Sequence, residues 1–296
     1  GLALSGSGNR TTFYIGFLEV LEEEGVKIDY ISACSGGCLV AAAFACGTLQ
    51  ELKKLVFQMS RKDLIGIFTG KRGKGGLYSL DGFEKFMWDK ITRGKNFNEV
   101  KPLMNFLAVD ISNGETVDLC MGDIAKAARI SCTVPGIFEP VMWGNRILVD
   151  GGLLMLLPVK PLQKFQADVI VGIVTGGTSH IFAPRVLNAK KVMDFFKKTL
   201  FFKEIKLFFS TFYDEEENSE IVSPNLLTTL GRSMDLAMRA NSQKDNGEEN
   251  CDLIIKMNPP KTIKISMDPG NLKNFYELGR VSAKANLKKI RKILNK

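Results

Sequence analysis

Gly1-Leu2-Ala3-Leu4-Ser5-Gly6-Ser7-Gly8-Asn9-Arg10 opens the chain as a short apolar run that stops at a glycine turn. Phe13, Phe17, Leu18 and Leu21 then recur at helical spacing up to Gly25. The order is strand, glycine turn, helix. It repeats at once: Tyr30-Ile31-Ser32 reads as extended, Cys34-Ser35-Gly36-Gly37 as the turn, and Leu39 to Cys46 as a small-residue apolar helix closed by Gly47. Two such units in tandem predict an α/β fold with a mostly parallel sheet and helices on its faces.

Outward from these units the signals are weaker but ordered. Glu51 to Met59 is helical, Arg61 to Gly76 is a glycine- and lysine-rich connection, and Asp81 to Asp89 is helical again. Leu107-Ala108-Val109-Asp110-Ile111 and Thr116-Val117-Asp118-Leu119 flank Asn113-Gly114, a hairpin signal. Ile124 to Ile130 is helical, Ile147-Leu148-Val149 is a strand, and Val169 to Val174 is a buried strand. Beyond it, Lys191 to Tyr213 is rich in Phe and Lys, Asp214 to Asn218 is acidic, and Asn241 to Asn250 is a polar linker. The expectation is one domain over residues 1–296, with a less regular insertion around 180–250.

The chain's 296 residues are 45% hydrophobic, enough for a full core, and no window holds the roughly 18 uninterrupted apolar residues of a membrane span. The six cysteines show no C-x-x-C pairing and mostly sit in apolar or small-residue runs. These features predict a soluble protein of a reducing compartment, read as cytoplasmic, with secretion or delivery to a host left open. Of the net charge of +8, the stretch from Leu253 to Lys296 holds eleven Lys and Arg against Asp268 and Glu277. The rest of the chain is close to neutral.

Three motifs carry chemistry. In Ala33-Cys34-Ser35-Gly36-Gly37 a serine sits where an apolar strand meets an alanine-rich helix, flanked two positions away by tiny residues, as a strained nucleophile elbow requires. The structural alternative for Ser35 is a helix N-cap. Asp150-Gly151-Gly152 ends a strand beside two residues that admit close approach by another backbone or a substrate, and makes Asp150 a candidate base for Ser35 or simply a turn aspartate. The turn from Ser5 to Arg10 offers the N–H groups of Gly6, Ser7 and Gly8 to an oxyanion or a phosphate. Thr11 spoils a dinucleotide fingerprint, and no Gly-Lys-Ser/Thr follows to make a P-loop. The chain has one histidine, His180, so a Ser–His–Asp triad rests on that residue alone.

In this order the motifs resemble the patatin-like phospholipase family: a glycine-rich turn with a basic end (Gly6-Ser7-Gly8-Asn9-Arg10), a serine elbow (Ala33 to Gly37) and an Asp-Gly-Gly block (Asp150 to Gly152). A fourth stretch, Ala128-Arg129-Ile130-Ser131-Cys132-Thr133-Val134-Pro135-Gly136-Ile137-Phe138-Glu139-Pro140-Val141, resembles the family's block ahead of its aspartate. The resemblance implies a three-layer α/β/α sandwich and a serine lipid acyl hydrolase of the phospholipase A or lysophospholipase type. It implies a dyad of Ser35 and Asp150 with no histidine, and an oxyanion hole at Gly6, Ser7 and Gly8. Arg10, Gly36, Gly37, Gly151 and Gly152 support the site. No cofactor and no metal are called for. Ser7 and Ala33 replace glycines usual in the family, and Met155 and Leu156 stand where polar Asn is common.

Hydrolysis of lipid esters implies a partner surface, membrane or micelle. Seven Phe interspersed with five Lys between Lys191 and Tyr213 suit either a cap in a headgroup layer or a core helix with a solvated basic side. The basic C-terminal stretch reads either as attraction to anionic lipid or as a final surface helix with Val281, Ala285, Ile290 and Leu294 inward. It lacks the interleaved aromatics of a nucleic-acid binder. Two other functions compete: an acyltransferase or thioesterase on a similar elbow, and a catalytically silent lipid-binding or scaffold protein.

Overall fold

The computed structural model describes residues 1–69, 71–72, 75–175, 241, 247–259 and 269–295. The first repeat forms β1 (Leu2–Leu4) and α1 (Thr12–Glu23), and the second forms β2 (Tyr30–Ala33) and α2 (Gly36–Ala45). Then come α3 (Leu49–Gln58), α4 (Arg61–Phe68), the short strands β3 (Lys71–Arg72) and β4 (Tyr78–Ser79), and α5 (Asp81–Phe86). Helix α5 runs on as a wider π-helical stretch over Met87–Thr92. The long central strand β5 (Leu103–Asp110) and β6 (Glu115–Leu119) make the expected hairpin. They are followed by α6 (Ile124–Ser131), β7 (Val141–Trp143), β8 (Arg146–Asp150), α7 (Lys160–Lys164), β9 (Val171–Val174), β10 (Leu253–Lys256) and α8 (Pro269–Leu294).

The sheet runs β10-β9-β1-β2-β5-β8-β7, with β6 also on β5. Its first five strands are parallel, and β6, β7 and β8 are antiparallel to their neighbours. Side-chain alternation divides the core. Leu2, Leu4, Ile31, Ala33, Phe106 and Ile173 join the larger cluster with α1, α2, α6 and α8, whereas Ala3 and Val174 join Leu157, Val159 and Leu162 on the other face.

Three expectations shift. Arg61–Phe68 is helical rather than a connection, because Ser60 and Asp63 form a reciprocal capping box at its start. In α8 the buried positions are Leu272, Phe275, Tyr276, Gly279, Ala283 and Ile290; of the four residues expected inward, only Ile290 is buried, and Val281 and Leu294 are 63% and 46% exposed. The contact with α1 sets that face: a Cβ on Gly279 would lie 2.0 Å from the Phe13 carbonyl oxygen, so the two helices meet backbone to backbone. Third, His180 and the Phe- and Lys-rich stretch lie outside the described residues, as does the expected insertion apart from Asn241 and residues 247–250. Among the described residues, no helix is long and apolar enough to cross a membrane.

Glu19 ties these helices together. It is 4% exposed on α1, and its carboxylate accepts from Gln50 (2.6 Å) and Arg280 (2.6 Å) and from Lys53 and Tyr276, which brings in α3 and α8. Burial pushes its carboxyl up, but the hydrogen bonds from Lys53, Tyr276 and Gln50 outweigh that and hold it down at about 2.

Candidate active site

The site is made where two strands meet end to end. Leu103 N–H donates to Asp29 O (3.0 Å) and Ile111 N–H to Ile147 O (2.9 Å), so the odd-numbered residues of β5 turn their backbone groups to one edge. Strand β2 occupies that edge in parallel, ending with Ala33 opposite Phe106, and β8 occupies it in antiparallel, ending with Asp150 opposite Ala108. Their C-terminal tips face each other, and these tips carry Ser35 and Asp150. Gly151 follows because a Cβ there would stand 2.5 Å from the Leu107 carbonyl oxygen, in the gap between the strands.

Ser35 takes the expected elbow conformation, with φ 51° and ψ −130°, a region side chains seldom occupy. It stands at the N-cap position of α2, yet its hydroxyl makes no capping bond. The hydroxyl is instead near enough to the Asp150 carboxylate to favour its ionised form. Asp150 is 3% exposed; its Oδ1 accepts the Gly152 N–H at 2.8 Å and the Cys34 thiol at 3.6 Å. The turn role foreseen for Asp150 is therefore real and coexists with its contact to Ser35. Burial pushes its carboxyl up to about 6, against the opposing effect of the bonds from Gly152, Ser35 and Cys34. Met155 is buried, and the polar support of Asp150 comes from the backbone of Gly152.

The glycine turn packs against the elbow. A Cβ on Gly36 would lie 2.6 Å from both Ser7 Oγ and Thr11 Oγ1, so a larger residue at the start of α2 would displace these two hydroxyls. Ser7 tolerates its side chain because its φ is −126°, an ordinary value, and its hydroxyl bonds Thr11 at 2.8 Å. Gly8 carries the positive φ of 51°. Among the three donors expected here, Gly6 N–H is taken, donating to Leu156 O at 3.1 Å. Among the described residues, the N–H groups of Ser7, Gly8 and Gly36 have no backbone acceptor. Arg10 Nη1 donates to Thr175 O at 2.8 Å and so fastens the turn to the end of β9.

Two residues assigned no role from sequence hold this arrangement. Tyr14, fully buried, donates to Ser5 O at 2.7 Å and lies 3.0 Å from Ser5 Oγ and 3.2 Å from Thr175 Oγ1. Ser131, also fully buried, accepts the Ser35 N–H. Ser35 and Leu156 are half-buried and Gly8 is exposed. All six cysteines are free thiols, and among the described residues no group of His, Cys, Asp and Glu is arranged to hold a metal ion.

The sequence profile of the patatin-like phospholipase family matches residues 2–162, which contain all of these groups except Thr175. Lysophospholipase NTE1 of Cryptococcus neoformans is 28% identical over 185 residues, 58% of this chain and 11% of that protein. An uncharacterized NTE family protein of Mycobacterium tuberculosis strain H37Rv is 26% identical over 178 residues, 60% of this chain and 49% of its own length. The chain thus spans about half of such a relative. The crystal structure of VipD from Legionella pneumophila superposes over 98% of this chain and 66% of its own, with a TM-score of 0.47 and 14% identity. With the profile covering more than half of its residues, the chain belongs to the patatin-like phospholipase family.

Proposed function

We propose that the protein hydrolyses acyl ester bonds of lipids through a dyad of Ser35 and Asp150. The observation that carries this reading is a buried carboxylate, raised to about 6, close to a serine hydroxyl on a strained elbow. Asp150 takes the hydroxyl proton as Ser35 Oγ bonds to the ester carbonyl carbon. The oxyanion that forms is met by the N–H groups of Ser7 and Gly8, with the first turn of α2 adding its Gly36 N–H and its positive dipole end. Collapse breaks the ester bond, and the alcohol leaves with the proton from Asp150. Water then repeats the sequence on the acyl-serine. A base near 6 is ionised at neutral pH yet holds a proton far better than an ordinary aspartate.

Half-buried Leu156, whose side chain and Ser35 Cβ would both lie within 4 Å of a Cβ on Gly6, suits contact with an acyl chain, and family membership supports a lipid substrate at a membrane or micelle surface. The basic end of α8 is placed badly for this. Thr12 Oγ1 bonds Leu272 O near the glycine turn, whereas Arg291 bonds Glu24 at the far end of α1, so the lysines from Lys284 to Lys292 lie away from the site. Anionic lipid held there would sit at the opposite end of the α1–α8 pair from Ser35. One apolar cluster with side chains from Leu2 to Ile290 supports one domain.

A second reading, a lipid-binding protein with impaired catalysis, is favoured by the loss of the Gly6 donor to Leu156. Labelling with a fluorophosphonate separates the two, because only an activated serine reacts. Labelling of wild type that is lost in Ser35→Ala supports the hydrolase, and no labelling of folded wild type supports the silent protein. A panel of phospholipid, lysophospholipid, galactolipid and glyceride esters then identifies the substrate.

A further inference from the structure

Strands β2 and β8 leave a gap on the edge of β5, and one side chain fills it. Ser131 Oγ, at the end of α6, donates to the Leu107 carbonyl at 2.6 Å, where neither strand reaches. The same oxygen accepts the Ser35 N–H at 3.1 Å and the Cys38 thiol at 3.2 Å. Two residues later the Thr133 carbonyl accepts the Asp150 N–H at 2.8 Å. The segment 131–133 therefore grips the backbone of the nucleophile at one end and that of the base at the other. The rest of the segment is anchored as well. Thr133 Oγ1 donates to Arg129 O at 2.9 Å, and the Arg129 guanidinium pairs with Asp81 (2.6 Å) and Glu84 (2.8 Å) on α5.

We propose that Ser131 is a positioning residue that sets the separation of Ser35 and Asp150, with Ser131 Oγ and the Thr133 carbonyl acting as the two jaws of a caliper. This rests on the dyad reading. An unsupported elbow has reason to move, since Ser35 is held at a positive φ and its N–H has no other described acceptor. Without the hydroxyl, the Ser35 N–H and the Leu107 carbonyl are both left buried and unmatched, and relaxation of the elbow carries Ser35 Oγ off the Asp150 carboxylate.

The test is steady-state hydrolysis of a small soluble ester across pH by wild type, Ser131→Ala and Ser131→Cys, with Ser35→Ala and Asp150→Asn alongside and thermal melting as the folding check. The expectation for Ser131→Ala is a kcat roughly 10- to 100-fold lower with KM within about two-fold, the size of effect an ångström of misplacement brings. The acidic limb of the rate profile moves to higher pH, because the hydroxyl bond that holds the Asp150 carboxyl down has weakened. Ser131→Cys, which keeps a weak donor and acceptor in place, falls between the two. A merely structural role would lower stability without moving the limb. A folded Ser131→Ala with kcat within about three-fold of wild type, or any loss with the limb unmoved, overturns the proposal. Should Ser131→Ala fail to fold, Ser131→Cys decides by the same limb. If Ser35→Ala or Asp150→Asn keeps half the activity, the dyad itself falls; if both abolish activity while Ser131→Ala does not matter, only the caliper falls.

Discussion

Asp150 and Glu19 are both carboxylates shut away from solvent, and the protein drives them in opposite directions. Within α1, Glu19 meets Lys53, Arg280, Tyr276 and Gln50 and is held at about 2. Asp150, at the tip of β8, receives only a backbone N–H, a hydroxyl and a thiol, no cation among its described neighbours, and rises to about 6. Burial costs both of them; compensation by charge separates them. The carboxylate that fastens helices is given every available donor, and the one beside the elbow is kept short of them. That contrast is the one the proposed dyad requires, a base at Asp150 and a brace at Glu19.

The largest effect that breaks the comparison is Asp150→Asn. Turnover of a soluble ester should fall about 10⁴-fold or more, as it should for Ser35→Ala, and the two losses should not add. Stability should move the other way. A carboxyl whose folded value is raised from 3.8 to about 6 loses stability as pH rises through that window, so at neutral pH the charge is a burden on the order of 3 kcal/mol at about 1.4 kcal/mol per unit. Asp150→Asn should therefore melt at or above the wild-type temperature at pH 7, and a markedly lower melting temperature would make Asp150 a structural residue.

Glu19→Gln should give the converse. Lys53 and Arg280 lose their shared partner, at a cost of about 3 kcal/mol, while kcat of the folded protein stays near wild type. Because the folded value lies below 4.5, the stabilisation is complete above that pH and fades as pH falls toward 2. Acid denaturation of wild type should thus steepen in this window, and Glu19→Gln should flatten it. A variant that melts like wild type would remove the brace.

Arg10→Ala is smaller again. Arg10 donates to the Thr175 carbonyl, so loosening the glycine turn should lower turnover about 10-fold on charged phospholipid and on a small neutral ester alike. A loss confined to the phospholipid would place the guanidinium on the headgroup instead.

The two carboxylates were not equally legible. Asp150 announced itself because Gly151 and Gly152 follow it, and the reason for the first glycine, the Leu107 carbonyl 2.5 Å from its missing Cβ, is local. The strand-turn-helix repeats were legible for a similar cause: a change of period at a glycine turn is visible in a dozen residues. Glu19 gave no sign, since its partners Lys53 and Arg280 come from distant helices. Ser131 stood in a recognised block without a role, because the gap it fills exists only once β2 and β8 share one edge of β5. Gly6 reads as a free donor in the sequence because its acceptor, Leu156, lies 150 positions away. The buried face of α8 is hidden for the same reason: Val281 and Leu294 have the right spacing for an inward stripe, but the backbone contact at Gly279 turns another stripe onto α1.

The account stands most directly on the pH dependence of kcat/KM for a small ester, measured for wild type and for His180→Ala. An Asp150 raised by burial predicts an acidic limb with its midpoint at about 6 in both proteins, and turnover in His180→Ala within about three-fold of wild type. A midpoint near the ordinary aspartate value of about 4, or a limb that disappears with His180, would contradict it.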